Sequence, residues 1–105
     1  MLKGHLDTIV LAGLEAGSAH GYAIIEEIRR RSAATFDLPE GTIYPALHRL
    51  ELAGLLASTW TEPGVGRRRR VYSLTPKGRD ALAERRRGWG RFSRTVDALL
   101  TEAGT

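Results

Sequence analysis

The sequence predicts a mainly α-helical fold carrying one small β-hairpin. Three observations lead there. Apolar residues recur at helical spacing in three segments before residue 53. The stretches "LLASTWT" and "RRVYSL" have the β-branched and aromatic content of strands, and the turn-forming "EPGVG" lies between them. A seven-residue apolar repeat occupies the C-terminal segment. The chain order is therefore helix, helix, helix, hairpin, helix.

Each element has a local reason. Leu6, Val10 and Leu14, with Ile9 and Gly13 alongside, make a first helix from about Lys3 to Glu15. Gly17 suits its C-terminal cap and Ser18 the start of the next segment. In "GYAIIEEIRRR", Tyr22, Ile25 and Ile28, or Ile24 and Ile28, share one side. Glu26, Glu27 and Arg29 to Arg31 are left to water, and the three arginines complement the dipole at that helix end. Pro39 fits the first position of a third helix, where a missing N–H has no helical partner to lose. In that helix Ile43, Leu47 and Leu50, with Ala46, face the core. Gly41, Pro45, His48 and Arg49 fall opposite, flanked by Thr42 and Tyr44. Leu52 also falls outward, for no reason visible in the sequence. Thr75 and Pro76 supply the cap and first position of a long fourth helix. Along it Leu82, Trp89 and Val96 are seven apart, with Phe92 and Leu99 three residues further on, which is a coiled-coil seam.

Composition narrows the function. At 105 residues there is room for one core. The absence of cysteine excludes a disulfide framework and a thiolate metal site, and makes a reducing cytoplasmic setting the expectation. Asp7 and Glu15 bracket the N-terminal apolar stretch, which falls well short of the roughly 20 residues of a membrane span. It reads as a core helix, so no membrane partner is expected. The net charge of +4 is uneven: residues 1–60 hold five Lys/Arg against seven Asp/Glu, and residues 61–105 hold eleven against five. A basic second half suits a polyanion such as nucleic acid. His5, His20 and His48 lie on separate segments without metal-ligand spacing, and no glycine-rich loop follows a strand. Neither catalysis, nor a cofactor, nor a metal is expected.

Three helices followed by a two-stranded hairpin is the order of a winged helix-turn-helix, whose third helix enters the DNA major groove while the hairpin lies on the backbone as a wing. That order explains the front of "PEGTIYPALHRLELAGLL". Gly41 has no side chain and Pro45 a compact one, so the helix front can approach phosphates and base edges, and its free N–H groups favour an anion. Pro45 removes one helical hydrogen bond, a smaller penalty near the N-terminus than in an interior. Residues 1–75 then form the DNA-binding domain and residues 76–105 a dimerisation helix.

"HGYAI", "GTIYPALHRLELAGLL", Trp60, "RRVYSLTPKG" and the terminal helix resemble the PadR-like transcriptional regulators. The resemblance runs from Lys3 to about Leu100. Its most specific parts are Gly41-Thr42-Ile43-Tyr44-Pro45, Leu50-Glu51 followed by Gly54-Leu55, and Tyr72 before Leu74-Thr75 with Gly78. It implies a homodimeric, usually repressing regulator that binds a palindromic operator in double-stranded DNA and is often released by a small molecule. The length resembles the short subgroup, which has one terminal dimerisation helix.

Carried over by position, Thr42, Tyr44, His48 and Arg49 are the candidates on the recognition helix. Thr42 and Tyr44 can donate to phosphate or base, His48 can donate or accept, and Arg49 can pair with guanine or phosphate. Glu40 suits the helix dipole but repels a phosphate. In the wing, strand alternation puts Tyr72 and Leu74 toward the core, which leaves Arg67, Arg68 and Arg69 near the tip as phosphate contacts. On the last helix Leu82, Trp89, Phe92, Val96 and Leu99 are the expected dimer interface. Gly88 and Gly90 flank Trp89 at a propensity cost of roughly 1 kcal/mol each, which close approach or a cavity would justify. Trp89, Phe92 and the inner seam residue Arg85 are the candidate site for a small aromatic or anionic effector. A winged helix used for protein or RNA contact, without operator recognition, is the competing reading.

Overall fold

The computed structural model describes residues 5–61 and 68–103. Its elements are α1 (Leu6–Gly13), β1 (Ala19–His20), α2 (Gly21–Arg31), α3 (Glu40–Leu52), β2 (Leu56–Trp60), β3 (Arg70–Leu74) and α4 (Pro76–Ala103). Apart from the short strand β1 between the first two helices, this is the expected order of helix, helix, helix, hairpin, helix. A winged helix-turn-helix is joined to a long C-terminal helix.

The core is built from the apolar sides of α1, α2 and α3. Val10, Leu11, Ile24, Ile43, Ala46 and Leu47 have no exposed surface, and Leu14, Ile28, Leu50 and Leu56 close around them. Gly13 lets α1 approach α2, since a Cβ there would sit 3.0 Å from Ile28 Cγ1. Tyr72 and Leu74 are buried from β3, as strand alternation requires. Burial pushes the Tyr72 phenol above its ordinary pKa.

Several boundaries differ from those read in the sequence. The sheet has three strands in the order β1-β3-β2, all antiparallel, because Ala19 and His20 pair with Tyr72 and Val71. Two residues carry no periodicity, so nothing local announces β1. His20, not Ser18, caps α2: its Nδ1 accepts from the Ala23 N–H at 3.3 Å. Pro39 is the cap of α3 rather than its first residue, and its carbonyl accepts from Thr42 and Ile43. Of α2's apolar residues, Ile24, Ile25 and Ile28 are buried, whereas Tyr22 is 58% exposed.

The end of α3 is fixed by a Schellman motif. Gly54 takes φ +80°, Leu55 N–H donates to the Leu50 carbonyl and Gly54 N–H to Glu51. The start of α4 is locked to it. Thr75 Oγ1 accepts from Gly78 N–H at 3.0 Å while donating to the Gly54 carbonyl at 2.7 Å, and Lys77 Nζ donates to the Ala53 carbonyl. Gly78 is obligatory in this geometry, because a Cβ would lie 2.0 Å from the Leu55 carbonyl oxygen.

Leu82 is buried at 4% exposure in this same core. It packs within its own chain, so it is not part of an exposed seam, and the first turns of α4 share the winged-helix core across the expected division at residues 75 and 76. Beyond them α4 projects, giving extents of 63 × 28 × 21 Å. Two contacts tie its near half to α1 and the turn after it: Arg85 Nη1 donates to Thr8 Oγ1 at 3.0 Å, and Arg86 pairs with Glu15 at 2.8 Å.

Candidate nucleic-acid interface

The outer face of α3 is open. Among the described residues nothing approaches the position a Gly41 Cβ would take, and Pro45, His48 and Arg49 are exposed while Thr42 is half-buried. Glu40 is exposed in the first turn, where it complements the helix dipole. Tyr44 is 42% exposed, and its position depends on α2. The edge of its ring lies over Gly21, where a Cβ would come within 2.6 Å. Gly21 of "HGY" is thus the seat of the Tyr44 ring. His48 and Arg49 lie with Gly41 and Pro45 on the exposed side of α3, and Thr42 and Tyr44 stand on its two opposite flanks. Leu52 lies 76% exposed at the end of α3, and nothing in the structure explains it.

Arg49 has an internal partner that sequence reasoning missed. Its guanidinium meets the Asp7 carboxylate in the first turn of α1, with side chains 55% and 30% exposed. A contact between residues 42 apart leaves no local trace.

The basic segment of the wing divides into different roles. Arg67 lies outside the described residues. Arg68 and Arg69 are exposed just before β3. Arg69 is held at its backbone, donating to Thr61 Oγ1 at 2.9 Å, and its Nη1 lies 2.9 Å from His20 Nε2. A neutral imidazole offers only one accepting nitrogen, so this contact competes with the His20 cap of α2. Arg70 is structural: its Nε donates to Ser58 Oγ at 2.8 Å, and its Nη2 stands 3.4 Å from the Glu51 carboxylate. Ser58 in turn donates to Glu51 Oε2 at 2.6 Å. Trp60 carries the Arg68 and Arg70 guanidinium groups over its ring, 5.2 and 5.6 Å from the centroid.

On α4, Trp89 and Phe92 come together with ring centroids 5.8 Å apart, and the edge of the Trp89 system meets His5 at 5.6 Å. Arg85, one turn before Trp89, is held by its hydrogen bond to Thr8. An open groove of about 620 Å³ runs along the following turns, lined by Arg91, Arg94, Thr95, Ala98 and Leu99. Neither Trp89 nor Arg85 lines it. Among the described residues no group of three His, Asp or Glu side chains could hold a metal, and no helix is long and apolar enough to cross a membrane.

A family model described as "Transcriptional regulator PadR-like family" matches residues 10–84. The chain belongs to that family. It is therefore a transcriptional regulator and not an enzyme. Among similar proteins, the transcriptional regulator Rv3488 of Mycobacterium tuberculosis is 44% identical over 77 residues, spanning 73% of this chain and 68% of that protein. A transcriptional regulator from Clostridium thermocellum superposes with a TM-score of 0.83 at 30% identity, covering 92% of this chain and 91% of that one. PadR of Bacillus subtilis, solved in complex with operator DNA, superposes at 0.67 with 25% identity, over 75% of this PadR-like chain and 45% of that one.

Proposed function

We propose that this PadR-like regulator binds double-stranded DNA as a homodimer, α3 entering the major groove and the wing lying on the backbone. The carrying observation is the open front of α3: Gly41 faces free space and Pro45, His48 and Arg49 are exposed beside a half-exposed Tyr44. A helix with that front can reach base edges that a bulkier one could not. The likeness to PadR in complex with operator DNA supports the same reading. In it Thr42, Tyr44, His48 and Arg49 serve the groove, and Arg67, Arg68 and Arg69 serve the phosphates. Residues 1–75 read DNA, and residues 76–105 join two copies so that a palindromic operator meets two equal faces.

Two observations support the dimer. Trp89, Phe92, Leu99 and Leu100 are 55 to 68% exposed on the projecting part of α4. Among the described residues nothing requires a glycine at Gly88 or Gly90, since a Cβ at either would meet only the end of an arginine side chain. Their cost of roughly 1 kcal/mol each in helix propensity finds its reason in a second helix packed close by. Val96 joins Trp89, Phe92 and Leu99 in this interface. The regulator acts as a repressor, and a flat aromatic or anionic effector between the paired α4 helices, at Trp89 and Phe92 with Arg85 turned in from Thr8, releases it.

Selection of bound duplexes from a random pool, with and without aromatic acids, tests this reading. Arg49→Ala should relax sequence preference, and Arg68→Ala should weaken all duplexes alike. No enriched duplex, with binding in a parallel single-stranded RNA pool or in neither pool, would favour a winged helix for RNA or protein contact.

A further inference from the structure

Trp60 is a large aromatic residue left 54% exposed at the root of the wing. Burial does not explain it. Its surroundings do: two guanidinium groups lie over its ring. They differ in how they are held. Arg70 is fixed by Ser58 and by Glu51, in the last turn of α3. Arg68 is the residue closer to the tip, and its guanidinium rests on the indole. A continuous set of contacts thus runs from the recognition helix through Glu51, Ser58, Arg70 and Trp60 to Arg68.

A flexible arginine that binds a phosphate must first lose its rotamer freedom. Stacking on an aromatic face meets part of that loss beforehand, and leaves the in-plane N–H donors of the guanidinium free for phosphate oxygens. We propose that Trp60 is a positioning residue of the interface: its indole holds Arg68 at a set distance from α3, so that wing and recognition helix meet the DNA in one geometry. The proposal rests on the DNA-binding reading above.

The test uses the full chain and the duplex recovered by selection. Trp60→Leu keeps an apolar side chain and removes the π face; at an exposed site it should leave the melting temperature nearly unchanged. Affinity should fall about two- to fivefold, the size of an exposed cation–π contact. Trp60→Phe should recover most of it. The Trp60→Leu/Arg68→Ala double variant should bind no worse than Arg68→Ala alone. In the free protein, the Arg68 side-chain resonances should show a ring-current displacement that Trp60→Leu abolishes. Additive losses in the double variant, or undisplaced resonances in a wild-type chain that binds duplex, would overturn the positioning role alone. A wild-type chain without duplex affinity would remove the reading beneath it as well.

Discussion

Two residues show how single atoms set the fold and the site. Gly78 lies where the start of α4 passes the Leu55 carbonyl, and the obstacle is backbone, not the tip of a movable side chain. Gly78→Ala must push α4 away and break the Thr75 cap, so it should cost about 2–3 kcal/mol, read as a lower urea midpoint. Asp7 acts on the site. Arg49 is paired with it, and under the proposed function that pairing would leave Arg49 adding little to binding of unspecific DNA. Such an exposed pair is worth under about 1 kcal/mol, so a phosphate or guanine can displace it. Asp7→Asn should strengthen binding to random duplexes a few-fold and steepen the salt slope by about 0.9, the equivalent of one phosphate. Neither change should appear in an Arg49→Ala background. A gain that persists there would mean only that a negative charge had been removed near the DNA.

At the level of elements, α1 to α3 and α4 were legible because periodicity and capping chemistry are local. Thr75 and Pro76 start α4 as read, and Ile43, Leu47 and Leu50 turn inward as their spacing requires. What escaped was fixed by partners distant in sequence. β1 exists only because β3 passes beside Ala19 and His20, and Leu82 kept its place in the heptad while its partners proved to be in its own chain. For the site, the exposed face of α3 was legible, whereas Asp7 against Arg49, and Trp60 beneath Arg68 and Arg70, were not. The contact between α4 and the turn after α1 has a pH signature. The hydrogen bond and charge of Arg86 hold the Glu15 carboxyl below its ordinary value near 4.5. A depressed folded-state pKa stabilises above the unfolded value and is lost as pH falls through the folded one. Thermal stability should therefore decline below about pH 4.5, and Glu15→Gln should flatten part of that decline. The effect is small, since Arg86 is more than half exposed.

The whole molecule is a winged-helix head on a long helical arm, and its proposed function requires two heads held at a set separation. Heads related by a two-fold axis address half-sites about one helical turn, roughly 10 base pairs, apart. If the paired wings and recognition helices neutralise about six to ten phosphates, log K should fall with log[salt] at a slope of roughly −5 to −9. The arm makes this testable without touching the DNA face. Leu99 is 67% exposed and far from α3, so Leu99→Arg should leave the melting of the head almost unchanged while two added positive charges disfavour the α4 pair. Sedimentation should then report a monomer. The slope should drop to about half, roughly −2.5 to −4.5, because one head neutralises only about three to five phosphates. Insertion of five base pairs between half-sites, which turns them to opposite sides of the duplex, should weaken the wild type down to the level of the variant and leave the variant unaffected. If Leu99→Arg yields a monomer that still binds with the full slope and the full spacing dependence, α4 does not set the distance between the heads.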